Sequence, residues 1–135
     1  MNYLIDTNVI SELLRPMPNS GALAWAAVQP MVGISAVTVE EAIYGLTRKA
    51  NRRLLEGFEA FVAEQCHVFP VTEVIARCAG TLRGQFSLRG VVRGQPDMLI
   101  AATAQVHQLT LATRNTKDFE GCGIGLLNPF SDMGL

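Results

Sequence analysis

The sequence predicts an α/β fold: one domain over residues 1–135, with a central parallel β-sheet of about four to five short strands flanked by helices on both faces. Three observations carry this reading. Short apolar runs alternate with stretches of helical period along the whole chain, as in a parallel sheet joined by right-handed helical crossovers. Residues 98–106 are apolar almost all round, which marks a helix buried in the core. At 135 residues and 49% hydrophobic composition the chain is long enough to bury that core. No internal repeat, low-complexity tract or linker interrupts it.

Tyr3-Leu4-Ile5 reads as the first buried strand, and Asp6-Thr7-Asn8 hands it over to a helix with apolar positions at Val9, Ile10, Leu13 and Leu14. Pro16 and Pro18 end that helix. Asn19-Ser20 caps a second, through Leu23, Trp25 and Val28, and Gln29-Pro30 stops it. Val32-Gly33-Ile34-Ser35 is the next strand. Thr38 is then expected to open a helix that buries Val39, Ala42, Ile43 and Leu46. Glu41, three residues on, has the spacing of a capping box. Residues 51–65 form a further helix, with Leu54, Leu55, Phe58, Phe61 and Val62 on one face. Val68-Phe69-Pro70-Val71 is the next strand, and Thr72 opens a helix that runs towards Phe86-Ser87-Leu88. Residues 89–95 form a loop. Gln95-Pro96-Asp97 starts the buried helix, with proline suited to the first helical position and Asp97 suited to the first turn by the macrodipole. Leu109-Thr110-Leu111-Ala112 is a buried strand. Thr113 to Thr116 leave its carboxyl end, and Lys117-Asp118-Phe119 follow in a turn or short helix. Residues 124–127 form a final strand, closed by Asn128-Pro129.

Composition excludes several classes. No apolar run approaches the ~20 residues that span a bilayer. The chain opens directly on a strand with no basic region before it, so no signal peptide is expected and the expected location is cytoplasmic. Cys66, Cys78 and Cys122 are odd in number and include no CxxC pair, so they read as reduced core residues. His67 and His107 are isolated and read as structural. The net charge of −1 favours no polyanion, but arginine outnumbers lysine nine to two. Arginine's planar fork suits phosphate contacts, although any single one of these cations reads first as part of a solvated face.

Asp6, Glu41, Asp97 and Asp118 all follow apolar strands or open the helices after them. Each has a plain structural reading as a cap or first-turn residue. In a parallel sheet, however, these positions converge on one edge, where ligands bind in open α/β folds. Converging carboxylates raise one another's pKa unless a cation neutralises them. Oxygen-only sites favour Mg²⁺ or Mn²⁺, which activate water and offset charge on a leaving oxygen. Phosphodiester hydrolysis fits this toolkit. No serine–histidine or cysteine–histidine arrangement competes, and no Gly-x-x-x-x-Gly-Lys-Ser/Thr loop is present.

Residues 4–12, Leu-Ile-Asp-Thr-Asn-Val-Ile-Ser-Glu, resemble the opening of PIN-domain ribonucleases, in particular the VapC and FitB toxins. Residues 34–41 followed by Tyr44-Gly45 resemble their second motif, in which the functional glutamate stands four residues before the glycine, so Glu41 matches and Glu40 does not. Residues 97–104 resemble the third motif, residues 109–119 the fourth, and Leu127-Asn128-Pro129-Phe130 the FitB ending. The resemblance spans essentially the whole chain. It implies a single PIN domain and a Mg²⁺- or Mn²⁺-dependent endoribonuclease acting as the toxin of a type II toxin–antitoxin pair. It also implies Asp6, Glu41 and Asp97 as catalytic metal-binding acids, with Asp118 as a fourth at a position where some FitB-type members carry none. Thr7, Asn8, Thr113 and Asn115 are expected to hydrogen-bond the acids, water or phosphate. Arg114 either joins them or makes a structural ion pair. The partners implied are RNA, a cognate antitoxin whose tail lies over the nuclease groove, a second copy of the chain, and operator DNA through the antitoxin. No membrane is implied.

Two other readings compete. In one, the chain is a regulatory binding module with weak or no nuclease activity, acting through a DNA-bound antitoxin complex. In the other it is a phosphotransfer fold with a nucleophilic aspartate, but that chemistry wants a second aspartate two residues after Asp6, and position 8 is asparagine.

Overall fold

The computed structural model describes residues 1–130. It contains a five-stranded sheet in which β1 (Tyr3–Ile5), β2 (Val32–Ser35), β3 (Cys66–Phe69), β4 (Thr110–Ala112) and β5 (Leu126–Leu127) lie in the order β3-β2-β1-β4-β5. All four pairings are parallel. Six helices join the strands: α1 (Thr7–Leu13), α2 (Ser20–Ala27), α3 (Ala36–Arg48), α4 (Arg52–Gln65), α5 (Glu73–Leu88) and α6 (Gln95–Val106). A single 3₁₀ turn spans Thr116–Phe119. None of the helices among the described residues is long and apolar enough to cross a membrane.

Alternation along the central strands sends successive side chains to opposite faces. Leu4 and Leu111 therefore pack with Ile75, Phe86, Met98 and Ile100 from α5 and α6. Ile5 and Ala112 pack on the other side with Val9, Trp25, Ala42 and Phe58 from α1 to α4. Both faces are thus covered, as an all-parallel sheet requires. Phe58 and Ile100 are fully buried, and each such side chain contributes roughly 1.5–3 kcal/mol of transfer free energy. Gly33 in β2 is needed for packing: a Cβ there would meet Phe69 Cε2 at 2.6 Å.

Two local expectations are corrected. The third strand is Cys66–Phe69, two residues earlier than the apolar run suggested, because α4 ends at Gln65 and Cys66–Phe69 pair in register with Val32–Ser35. Pro70 has no N–H to extend the ladder. Helix α3 starts at Ala36, with Ser35 as its cap accepting from Val37 N–H at 3.0 Å. Thr38 is therefore inside the helix and fully buried, and no capping box forms with Glu41.

The strand order sets up the site. From β1 the chain moves outward through β2 and β3, then returns to the opposite side of β1 for β4 and β5. The switch point lies between β1 and β4, and the crevice beyond their carboxyl ends is where open α/β sheets bind ligands.

Candidate active site

Asp6 ends β1 at that switch point and caps α1. Its N–H donates to the Ala112 carbonyl at 3.0 Å, continuing the β1–β4 ladder by one residue. Its carboxylate is fixed by three donors. Oδ1 accepts from Thr7 N–H at 2.8 Å, and Oδ2 accepts from the Thr113 hydroxyl at 2.8 Å and from Asn8 Nδ2 at 3.1 Å. Thr113, at the end of β4, is fully buried, so its hydroxyl ties the two central strand ends together through Asp6. Asn8 Oδ1 in turn accepts from Arg114 N–H at 3.0 Å, and Thr113 Oγ1 accepts from Asn115 N–H at 3.1 Å. The cap and the site are one structure, because the residue that starts α1 also faces the crevice.

Glu41 reaches the same place from α3. Its Oε1 accepts from the Thr7 hydroxyl at 2.7 Å. That bond replaces the capping interaction expected with Thr38 and leaves Oε2 without a hydrogen bond among the described residues. Asp97 stands in the first turn of α6, after a Gly94 cap that makes no side-chain hydrogen bond. Asp118 sits in the 3₁₀ turn after β4 and is exposed. Asp6, Glu41, Asp97 and Asp118 line one open cleft together with Thr7, Asn8, Ser11 and Asn115. Glu40 is exposed on α3 and does not line it.

The charges in this cleft are under-compensated. Burial pushes the Asp97 carboxyl up to about 6, and the carboxylates of Asp6, Asp118 and Glu41 add to that, while Arg93 opposes it. Burial also raises Asp6, against the lowering effect of its Thr113, Thr7 and Asn8 hydrogen bonds, with Asp118 adding to the rise. Arg114 does not line the cleft. Its guanidinium lies 4.8 Å from the centre of the Phe130 ring and in the field of Glu12. Glu12 itself is buried in α1. Its carboxyl is held below the ordinary value, first by the Asn19 N–H at 2.7 Å and then by Arg15 at 3.2 Å.

A donor set of four carboxylates with no thiolate or imidazole selects a hard cation. Among the described residues no three His, Cys, Asp or Glu side chains stand in ready ligand geometry. Mg²⁺ is a hard cation of this kind, keeping several waters and taking few carboxylates directly. The mutual repulsion at Asp97 is what such a cation would relieve. Ser11 was not foreseen as a site residue. It stands one turn after Thr7 on the same helix face, a spacing that would have found it. Beside the cleft, sharing Thr7, Ser11 and Glu41, an apolar groove runs between α1, α3 and α4, floored by Ile10, Leu14, Ala42 and Leu46 with Arg15 and Lys49 among its lining.

Thr7→Val keeps the shape and the backbone N–H that donates to the capping Asp6 carboxylate but removes the donor to Glu41. If Glu41 holds a metal ion, Mn²⁺ affinity is expected to fall on the order of tenfold, as is usual when a partner of a metal ligand is lost. Thr7→Ser should restore it. Calorimetric titration of the three proteins checks this.

The profile of the PIN domain matches residues 3–121. The VapC ribonuclease Y4jK of Sinorhizobium fredii is 37% identical, over 94% of this chain and 96% of its own length. Toxin FitB of Neisseria gonorrhoeae is 36% identical, over 96% of this chain and 99% of its own. The crystal structure of FitAcB from Neisseria gonorrhoeae superposes with a TM-score of 0.82 at 32% identity, covering 96% of this chain and 99% of that one.

Proposed function

Because the chain belongs to the PIN-domain family, we propose that it is a metal-dependent endoribonuclease and the toxin of a type II toxin–antitoxin pair, acting in the cytoplasm. The observation that carries this reading is the convergence of four acids, from four separate segments of the chain, on one cleft at the switch point of the sheet. Asp6, Glu41, Asp97 and Asp118 would hold Mg²⁺ or Mn²⁺. When bound, such an ion supplies an acidified water and positive charge beside the leaving oxygen of a phosphodiester.

The chain's own residues do the positioning. Thr7, Asn8 and Thr113 fix the two oxygens of Asp6, and the Thr7 hydroxyl fixes one oxygen of Glu41. Asn8, Ser11 and Asn115 bring polar side chains to the cleft wall, suited to contacts with phosphate or ribose oxygens. The proposed partners are RNA as substrate, a cognate antitoxin, a second copy of this chain, and operator DNA reached only through the antitoxin. The apolar groove that opens from the acids between α1, α3 and α4 suits an amphipathic antitoxin segment, which would cover the cleft and so silence it.

The charge state of Asp97 yields the test. Its carboxyl is pushed from the ordinary 3.8 to about 6, so protons compete with a cation for the cleft below that pH. Mn²⁺ at saturating concentration should raise Tm at pH 7.5 by several degrees and have little effect at pH 5. A Tm insensitive to Mn²⁺ at pH 7.5, with no calorimetric uptake that depends on the acids, would instead point to a regulatory binding module.

A further inference from the structure

Arg93 is outside every motif acid, in the loop between α5 and α6, yet it bridges the segments that carry two of them. Its Nη1 donates to the Lys117 carbonyl at 3.2 Å and its Nη2 to the Glu120 carbonyl at 3.0 Å. Those carbonyls flank Asp118, one residue before it and two after. The same guanidinium lies 4.4 Å from the centre of the Phe86 ring, which is only 5% exposed. Arg89 lies 4.8 Å from that ring. Phe86 thus gives the Arg93 fork a buried aromatic surface to rest on. Four residues after Arg93 comes Asp97, so a short, proline-containing stretch connects the fork to the first turn of α6.

Phe119 anchors the Asp118 turn in the core, and the Arg93 fork adds orientation to that anchor. The turn is one 3₁₀ turn of four residues, and its cap, Asn115, makes no side-chain capping bond. Short 3₁₀ turns have poor hydrogen-bond geometry and depend on their surroundings. A planar fork that donates to two carbonyls holds a turn in orientation as well as in place, and a lysine ammonium cannot reproduce it.

We infer that Arg93 is a positioning residue that holds Asp118 on the cleft it shares with Asp97 by clamping the carbonyls on either side of Asp118. This rests on the metal-nuclease reading above. The test is a double-mutant cycle on the full chain, with Arg93→Gln, Arg93→Lys, Asp118→Asn and Arg93→Gln combined with Asp118→Asn. It is read by Mn²⁺ calorimetry and by RNA cleavage, with Tm recorded for each protein. Arg93→Gln should weaken Mn²⁺ binding on the order of tenfold, as for other residues that orient metal ligands. Arg93→Lys, which keeps the charge without the fork, should lose a similar amount. Once Asp118 is already asparagine, Arg93→Gln should lose most of its effect, falling to about threefold or less, because what remains is only the direct influence of its charge on Asp97.

Three outcomes would overturn the inference: Mn²⁺ affinity unchanged in Arg93→Gln, full affinity in Arg93→Lys, or effects of Arg93→Gln and Asp118→Asn that simply multiply. Arg93→Lys keeps the inference testable if Arg93→Gln does not fold. Asp6→Asn is run beside the cycle. If it retains Mn²⁺ binding and cleavage, the nuclease reading itself has failed; if it loses both while the Arg93 cycle is flat, only the positioning role has.

Discussion

Asp6→Asn is expected to lower RNA cleavage by about 10³-fold, the scale of several kcal/mol of lost charge stabilisation at a metal site, while leaving the fold intact. The two parts follow from different features of the same residue. The fold needs an acceptor at position 6, because the side chain caps α1 through Thr7 N–H and receives the Thr113 hydroxyl. An asparagine oxygen still accepts from Thr7 N–H at the helix cap, while its NH2 faces the Thr113 hydroxyl, which must turn to accept, and loses the bond from Asn8 Nδ2. The chemistry needs the charge. Burial already raises the Asp6 carboxyl above its ordinary value, so replacing it with a neutral amide removes a buried charge that destabilises the metal-free protein. Cleavage rates under single turnover and Tm in EDTA should therefore separate, with the rate collapsing and Tm changing by only a few degrees, because the relieved charge offsets the lost bonds to Oδ2. A parallel loss of both would make Asp6 a structural cap and nothing more.

Asp97→Asn should show the same separation more sharply. Its carboxyl is raised to about 6 from 3.8 by burial and then by Asp6, Asp118 and Glu41. The folded chain therefore holds a proton between those values that the unfolded chain releases, so stability falls as pH rises through that window. Above about pH 6 the full penalty of the ionised group is present. Asparagine removes it. Discounted for the partial exposure of this half-buried side chain, the gain at pH 7.5 without metal is about 1 kcal/mol, roughly 3 °C in Tm for a chain of this size. Near pH 4 the gain should vanish, because Asp97 is then protonated in the folded protein. Cleavage in Mn²⁺ should fall by about 10³-fold. Thermal melts of both proteins at pH 4 and 7.5 in EDTA check the stability half. A Tm that drops at pH 7.5 would mean that Asp97 is held by favourable contacts and that the cleft is not under-compensated.

Much of this architecture was readable beforehand because it is local. The central strands, the Asn19 and Thr72 caps and the apolar α6 each follow from residues within one or two turns. The four acids were readable because each lies at a strand end or in the first turn of a helix, and a parallel sheet gathers those positions. What escaped depends on contacts distant in sequence. Glu41 has capping-box spacing to Thr38, yet its carboxylate is held by Thr7, 34 residues away, because α3 starts earlier and α1 lies alongside. The Thr113–Asp6 bond spans 107 residues and exists only because β1 and β4 are neighbours. Arg114 could have faced either way; Phe130 and Glu12 draw it from the cleft. Arg93 sits in a loop with no periodicity, so nothing local marks it. The β3 boundary shifted because register with β2, and not hydrophobicity, decides where a strand begins.

The most direct test of the central claim, that converging carboxylates make this chain a metal-dependent ribonuclease, is cleavage of total cellular RNA by the purified protein. It is measured in Mg²⁺, Mn²⁺ and EDTA beside Asp6→Asn and Glu41→Gln, with the cut ends mapped by sequencing. The expected result is a set of discrete cuts that require the metal and disappear in both variants. Cuts that persist in EDTA or survive both substitutions, or a protein that binds Mn²⁺ through these acids but cuts no RNA, free of any copurified inhibitor, would contradict it.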